Sequence, residues 1–199
     1  MVRPLFIVIV LFAVVAAVPA VRAAAAENDK PAAAAATAPP ADKPFVVRAL
    51  VGGQTEIDAA RLAAEKGSAP VKQYAAKLLA GRTRAGEQLQ KLADERDIHP
   101  PQEPPQTRKA LLDKLGHLDG APFDRAFVVA MVEDQNSTIA LFKRQLDYGK
   151  DDALKAFARD QLPAMEEQLK TGRELLKTFA ASTTQSTRPS RGDGPTMMK

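Results

Sequence analysis

Four polar side chains interrupt apolar stripes that otherwise recur every three or four residues: Glu56, Arg82, Gln135 and Gln168. Glu56 sits among the small residues Ala49, Gly53, Ala60 and Ala63. Arg82 falls between Leu78 and Ala85 on the run Val71, Ala75, Leu78, Ala85, Leu89, Leu92. Gln135 separates Val132 from Ile139 with Asp134 beside it, and Gln168 separates Met165 from Gly172. Taken singly, each has a plain explanation. Arginine and glutamine reach water from a seam edge, and one seam glutamine fixes helix register. One such residue near the middle of every stripe argues instead that they converge at one level.

Polar residues meeting inside packed helices suggest metal chemistry. Di-iron and di-manganese centres take carboxylates from facing helices together with Glu-x-x-His pairs, whose imidazoles supply nitrogen donors. No Glu-x-x-His pair occurs in this chain, and its two histidines, His99 and His117, lie between the second and third stripes. A guanidinium stays protonated and cannot ligate, and a glutamine amide is a poor ligand for a transition metal. Arg82 is expected to pair with Glu56 or Asp134, while Gln135 and Gln168 complete the hydrogen bonds. Any metal would fall to residual carboxylates, Glu56, Glu133 and Asp134 first, then Glu166 and Glu167. Adjacent acids of this kind are, however, usually solvated helix faces.

Other chemistry finds little support. There is no Ser-His-Asp or Cys-His set, no phosphate loop and no zinc spacing, so no catalytic residue and no cofactor is expected. The small residues Gly53, Ala60, Ala85 and Gly172 leave a third possibility, a small ligand between helices, although small seam residues more often mean close packing.

The elements that position these residues are all helical, because period 3.6 runs throughout and period two nowhere. The first helix is expected from about Lys43 to Lys66. Gly67 would end it in a left-handed conformation, and Ser68 with Pro70 would open the second helix, to about Arg96. His99-Pro100-Pro101-Gln102-Glu103-Pro104-Pro105 cannot continue a helix. A short helix from about Thr107 to Leu115 fills the crossing, stopped by Gly116. A third long helix follows, to about Tyr148. Gly149 ends it, and Asp151 caps a fourth, to about Ala181, with Pro163 freeing the carbonyl of Arg159 and kinking the chain. The fold expected is an all-α four-helix bundle with one long connection between the second and third long helices.

The ends bear on compartment. Met1-Val2-Arg3-Pro4 precedes the apolar run Leu5 to Val18 and small-residue sites at Val18-Pro19-Ala20 and Val21-Arg22-Ala23, the layout of a signal peptide over residues 1–23. The run is shorter than the roughly 20 apolar residues a spanning helix needs, so cleavage without a remaining membrane segment is expected. Residues 24–41, rich in alanine and proline, read as a spacer, 42–181 as the folded domain and 182–199 as a disordered tail. No cysteine occurs, so neither disulfides nor a lipid-attachment site is available.

The formal net charge of +4 is concentrated at the ends: Arg3 and Arg22 fall in the leader, and Arg188, Arg191 and Lys199 in the tail. With a nearly neutral domain and no basic stripe, nucleic acid is not an expected partner.

Three segments carry a family resemblance. "FVVRALVGGQTEIDAARLAAEKGSAPVKQYAAKLL", "GAPFDRAFVVAMVEDQNSTIALF" and "LPAMEEQLKTGREL" together resemble the bacterial family called domain of unknown function 4142, over about residues 43–180. The resemblance implies a ferritin-like fold and export, in a family often given an outer-membrane label and without an established biochemical role. It also sharpens the meaning of the seam residues. Family members typically have Asp-His where this chain has Gly81-Arg82. They have histidine at Gln135, after the retained Asp134, and again at Gln168. The combined expectation is an exported, non-catalytic structural or binding protein of the periplasm or cell exterior. It would be associated with an envelope protein or outer-membrane component and carry a degenerate metal site. The alternative is an iron- or manganese-dependent redox or storage protein using the remaining carboxylates.

Overall fold

The computed structural model describes residues 41–103 and 105–186. The expected leader, all but the last residue of the spacer, and the tail beyond residue 186 lie outside them. Five helices follow one another: α1 (Lys43–Lys66), α2 (Ala69–Asp94), α3 (Gln106–Gly116), α4 (Gly120–Tyr148) and α5 (Asp152–Ser186). The described residues are all-α. α1 pairs with α2 and α4 with α5 as two hairpins; α1 also packs on α4 and α2 on α5, while the short α3 lies against α1 and α4.

Hydrogen bonds between helix ends fix the directions. Asp42, before α1, accepts from Gln145 Nε2 near the end of α4 (2.7 Å) and from the backbone of Lys150 and Asp151. Asp124, early in α4, accepts from the backbone of Ser68 in the α1–α2 turn (3.0 Å). α1 therefore runs antiparallel to α4, and α3 carries the chain back along the molecule before α4 begins.

Several local expectations are modified. Gly67 has a φ of −69°, extended rather than left-handed, and Gly149, which ends α4 as expected, has a φ of −59°. Glycine is required there for closeness instead: a Cβ would lie 2.7 Å from the Ala63 carbonyl at Gly67 and 2.4 Å from the Gln145 carbonyl at Gly149. Ser68 precedes α2 without a side-chain cap. Asp151 does cap α5, accepting from the backbone of Ala153 and Leu154 at 3.0 Å. α5 passes through Pro163 and ends at Ser186, five residues beyond the expected Ala181. Its Thr178 and Ser182 hydroxyls bond back to carbonyls four residues earlier, and no proline follows until Pro189.

The core divides into two apolar clusters. One gathers Phe45, Phe142 and Phe157 with Leu89, Leu154 and Met165, its rings edge-on at 5.0 Å (Phe45–Phe142) and tilted at 5.8 Å (Phe142–Phe157). The other gathers Tyr74, Phe123 and Phe127 with Leu78, Leu115 and Met131. Burying each of these large side chains contributes about 1.5–3 kcal/mol. The four interrupting residues fall where the clusters change over. On α2, Arg82 separates Leu78 of the second from Ala85 of the first. On α4, Gln135 separates Met131 from Ile139.

Candidate functional site

Between the clusters lies a connected polar layer. Arg82 Nε donates to Glu56 Oε2 at 2.7 Å, and its Nη2 donates to Gln135 Oε1 at 3.0 Å. Gln135 Nε2 in turn donates to Gln168 Oε1 at 3.2 Å and lies 3.4 Å from Glu56 Oε2. Gln168 Nε2 closes the chain on the Lys77 carbonyl at 3.5 Å. Glu56 and Gln135 are essentially inaccessible, at 1% and 0% exposure, and Arg82 keeps 6%. Gln168 is half-buried. The backbone makes room for it: a Cβ on Gly81 would come within 2.9 Å of Gln168 Nε2.

The structure thus brings Glu56, Arg82, Gln135 and Gln168 together, one from each long helix, and selects Glu56 over Asp134 as the partner of Arg82. Asp134 is half-buried at the margin, with Thr138 Oγ1 3.5 Å from its Oδ2. Glu133 does not join: it is exposed, one residue further round α4. Glu166 and Glu167 also face solvent, Glu166 paired with Lys143 and Glu167 with Lys170.

Burial pushes the Glu56 carboxyl up to about 7, against the lowering effect of Arg82 and helped by the nearby negative charge of Asp134. Glu56 Oε1 is sealed without a hydrogen-bond partner. A hydrogen bond with Asp134, which requires a proton on Glu56, adds to the upward shift.

Sequence reasoning missed Tyr74. Its ring is 2% exposed, and its hydroxyl is sealed without a partner. Burial first, and the charge of Glu56 second, hold that phenol well above its ordinary range. A Cβ on Gly172 would approach the hydroxyl to 2.8 Å, so Gly172 serves the close approach of α5 to α2. Also missed was an ion pair at one end. Arg96 donates through Nε (2.6 Å) and Nη2 (3.0 Å) to both oxygens of Asp151, tying the end of α2 to the start of α5.

These residues do not fit a metal. Among the described residues, no three His, Cys, Asp or Glu side chains gather as a metal centre requires. At the layer's centre stands a guanidinium, whose fixed positive charge repels a cation from the carboxylate it holds. What the layer can do is fix register, hold a proton between two acids, and present hydrogen-bonding groups to a neighbouring cavity of about 240 Å³ between α1 and α2, which both Glu56 and Arg82 line. No helix among the described residues is long and apolar enough to cross a membrane.

A family model described as "Domain of unknown function (DUF4142)" matches residues 26–175, beginning inside the stretch read as a spacer. No curated protein matches the chain by sequence. Two solved structures share the fold. A DUF305 fragment from Deinococcus radiodurans is 16% identical, with a TM-score of 0.65, over 71% of this chain and 99% of that one. A DUF305 protein from Streptomyces coelicolor is 17% identical, with a TM-score of 0.60, over 68% and 90%.

Proposed function

The chain belongs to the DUF4142 family, and from that premise we propose that it is an exported, non-catalytic binding or structural protein. Its four long helices form a ferritin-like bundle in which a fixed ion pair replaces the metal centre. The observation that carries the reading is the 2.7 Å bond from Arg82 Nε to Glu56 Oε2, with Gln135 and Gln168 extending it to the other two helices. A resident cation supplies charge to hold carboxylates together, and here Arg82 supplies it covalently. Catalysis has no evident agent, because the layer lacks a nucleophile paired with a base and an imidazole to shuttle protons. Export rests on the leader-like first 23 residues, and the working place proposed is the periplasm or cell exterior, in association with an envelope or outer-membrane component.

The test is metal content. The protein is purified without chelator, exposed to iron, manganese and zinc, desalted and assayed for bound metal and melting temperature. The reading predicts substoichiometric metal and an unchanged melting temperature. Near-stoichiometric metal that is lost in Glu56→Ala or Asp134→Ala would overturn it and put a metal-dependent redox or storage role in its place.

A further inference from the structure

The cavity beside the polar layer has the make-up of a ligand site. It lies between α1 and α2 below Pro100 and Pro101, and its walls are Leu50, Leu89, Phe142 and Phe157. Glu56 and Arg82 supply its charged groups, and Gln54, Gln90 and Thr138 the rest of its polar lining. Arg82 uses Nε on Glu56 and Nη2 on Gln135, which leaves Nη1 without an acceptor among the described residues. Nη1 is also absent from the sealed, unpartnered atoms, so it faces accessible space. Arg82 lines this cavity. A donor without a hydrogen-bond partner, on a side chain only 6% exposed, therefore borders a mainly apolar chamber.

We propose that this cavity binds a small, neutral, mainly apolar molecule through one acceptor oxygen, a ketone or alcohol with roughly ten heavy atoms, received by Arg82 Nη1. The inference rests on the binding reading above and names its ligand class. Size follows from volume: an apolar cavity of about 150 Å³ holds benzene, so about 240 Å³ holds a ring with a short chain. Neutrality follows from charge. Arg82 is already matched by Glu56, with Asp134 close behind, so an anion would enter a site whose acids outnumber its base. A pure hydrocarbon would displace water from Nη1 and leave it unpaired.

The experiment titrates propiophenone, propylbenzene and 4-ethylbenzoate into the full chain at pH 8, followed by calorimetry and by the ring proton shifts of Phe142 and Phe157. Propiophenone is expected to bind at least about ten-fold more tightly than propylbenzene, the difference a hydrogen bond to a charged donor makes, and 4-ethylbenzoate more weakly still. Gly53→Leu and Gly86→Leu supply the fillers. A Cβ at either position meets nothing within 4 Å, so both variants should fold normally while losing the ligand. No propiophenone binding, equal binding of the hydrocarbon, or binding untouched in two folded filler variants would each overturn the proposal. The metal assay separates failures: metal bound at Glu56 sinks the parent reading, whereas a metal-free protein indifferent to propiophenone sinks only this one.

Discussion

Among the described residues, two largely buried arginine–carboxylate pairs have acids that move in opposite directions. Arg82–Glu56 lies mid-molecule with side chains 7% and 1% exposed, and Arg96–Asp151 lies at one end with 10% and 12%. The Arg96 hydrogen bonds, reinforced by backbone N–H groups of Leu154 and Ala153, hold the Asp151 carboxyl below its ordinary range. Burial holds Glu56 above its own, despite an equally short bond to arginine. What differs is the supply of donors. Asp151 sits at the N-terminus of α5, where unsatisfied N–H groups and the helix dipole favour an anion. Glu56 is mid-helix, keeps one oxygen without a donor, and faces Asp134. Proximity to arginine alone does not decide the state of a buried acid.

The largest effect expected from breaking this contrast is at Arg82. Arg82→Met leaves Glu56 buried without its cation and should lose about 3–5 kcal/mol in urea unfolding at pH 8. The loss should be less than half as large at pH 5, where Glu56 carries its own proton. Equal losses at both pH values would mean that Glu56 is not the group being uncovered.

Next is the pH dependence of the parent. Glu56 titrates at about 7 in the folded chain and near 4.5 when unfolded, so the folded state binds more protons between those values. Its contribution is complete below about pH 4.5 and is lost as pH rises through about 7. Such a shift corresponds to about 3 kcal/mol. The stability difference between the parent and Glu56→Gln, measured by urea from pH 4 to 8, should slope in that sense, whereas a flat difference would contradict it.

Asp151→Ala removes both the Arg96 contact and the α5 cap and should cost about 2 kcal/mol at pH 7. This acid has the opposite sign. Its stabilisation is present above the usual aspartate range near 3.8 and is lost as pH falls through its lowered folded value. Thermal melts of the parent and variant should therefore converge in strong acid. The smallest effect concerns Gly172. Gly172→Ala forces a methyl against Tyr74 Oη and Val132 and should cost about 1 kcal/mol or more by overpacking, read in the same melts.

Much of this contrast was legible beforehand on one side only. The stripe from Val71 to Leu89 is buried throughout, with Arg82 on it, because a strict four-and-three repeat leaves a helix little choice of face. Gln135 was found as an interruption of the same kind. Glu133 and Asp134 were not separable, since adjacent residues differ by about 100° of helix rotation and both flank the stripe. The Arg96–Asp151 pair spans 55 positions and joins two helix ends, so no local period announces it. Tyr74 lies off the stripe read from the sequence, and nothing in the local pattern marks its hydroxyl as sealed. Gly67 and Gly149 both end their helices as expected, but Gly67 does so without a left-handed turn: crowding by a carbonyl leaves no trace in sequence that distinguishes it from one.

The central claim is that a buried, arginine-held Glu56 stands where a metal would otherwise gather carboxylates. Its most direct test is the ¹³C shift of the Glu56 side-chain carboxyl followed against pH in the parent and in Arg82→Met. The account predicts a midpoint of about 7 in the parent, moving higher once the lowering influence of Arg82 is gone. A midpoint near 4.5, or one that Arg82→Met leaves in place, would contradict it.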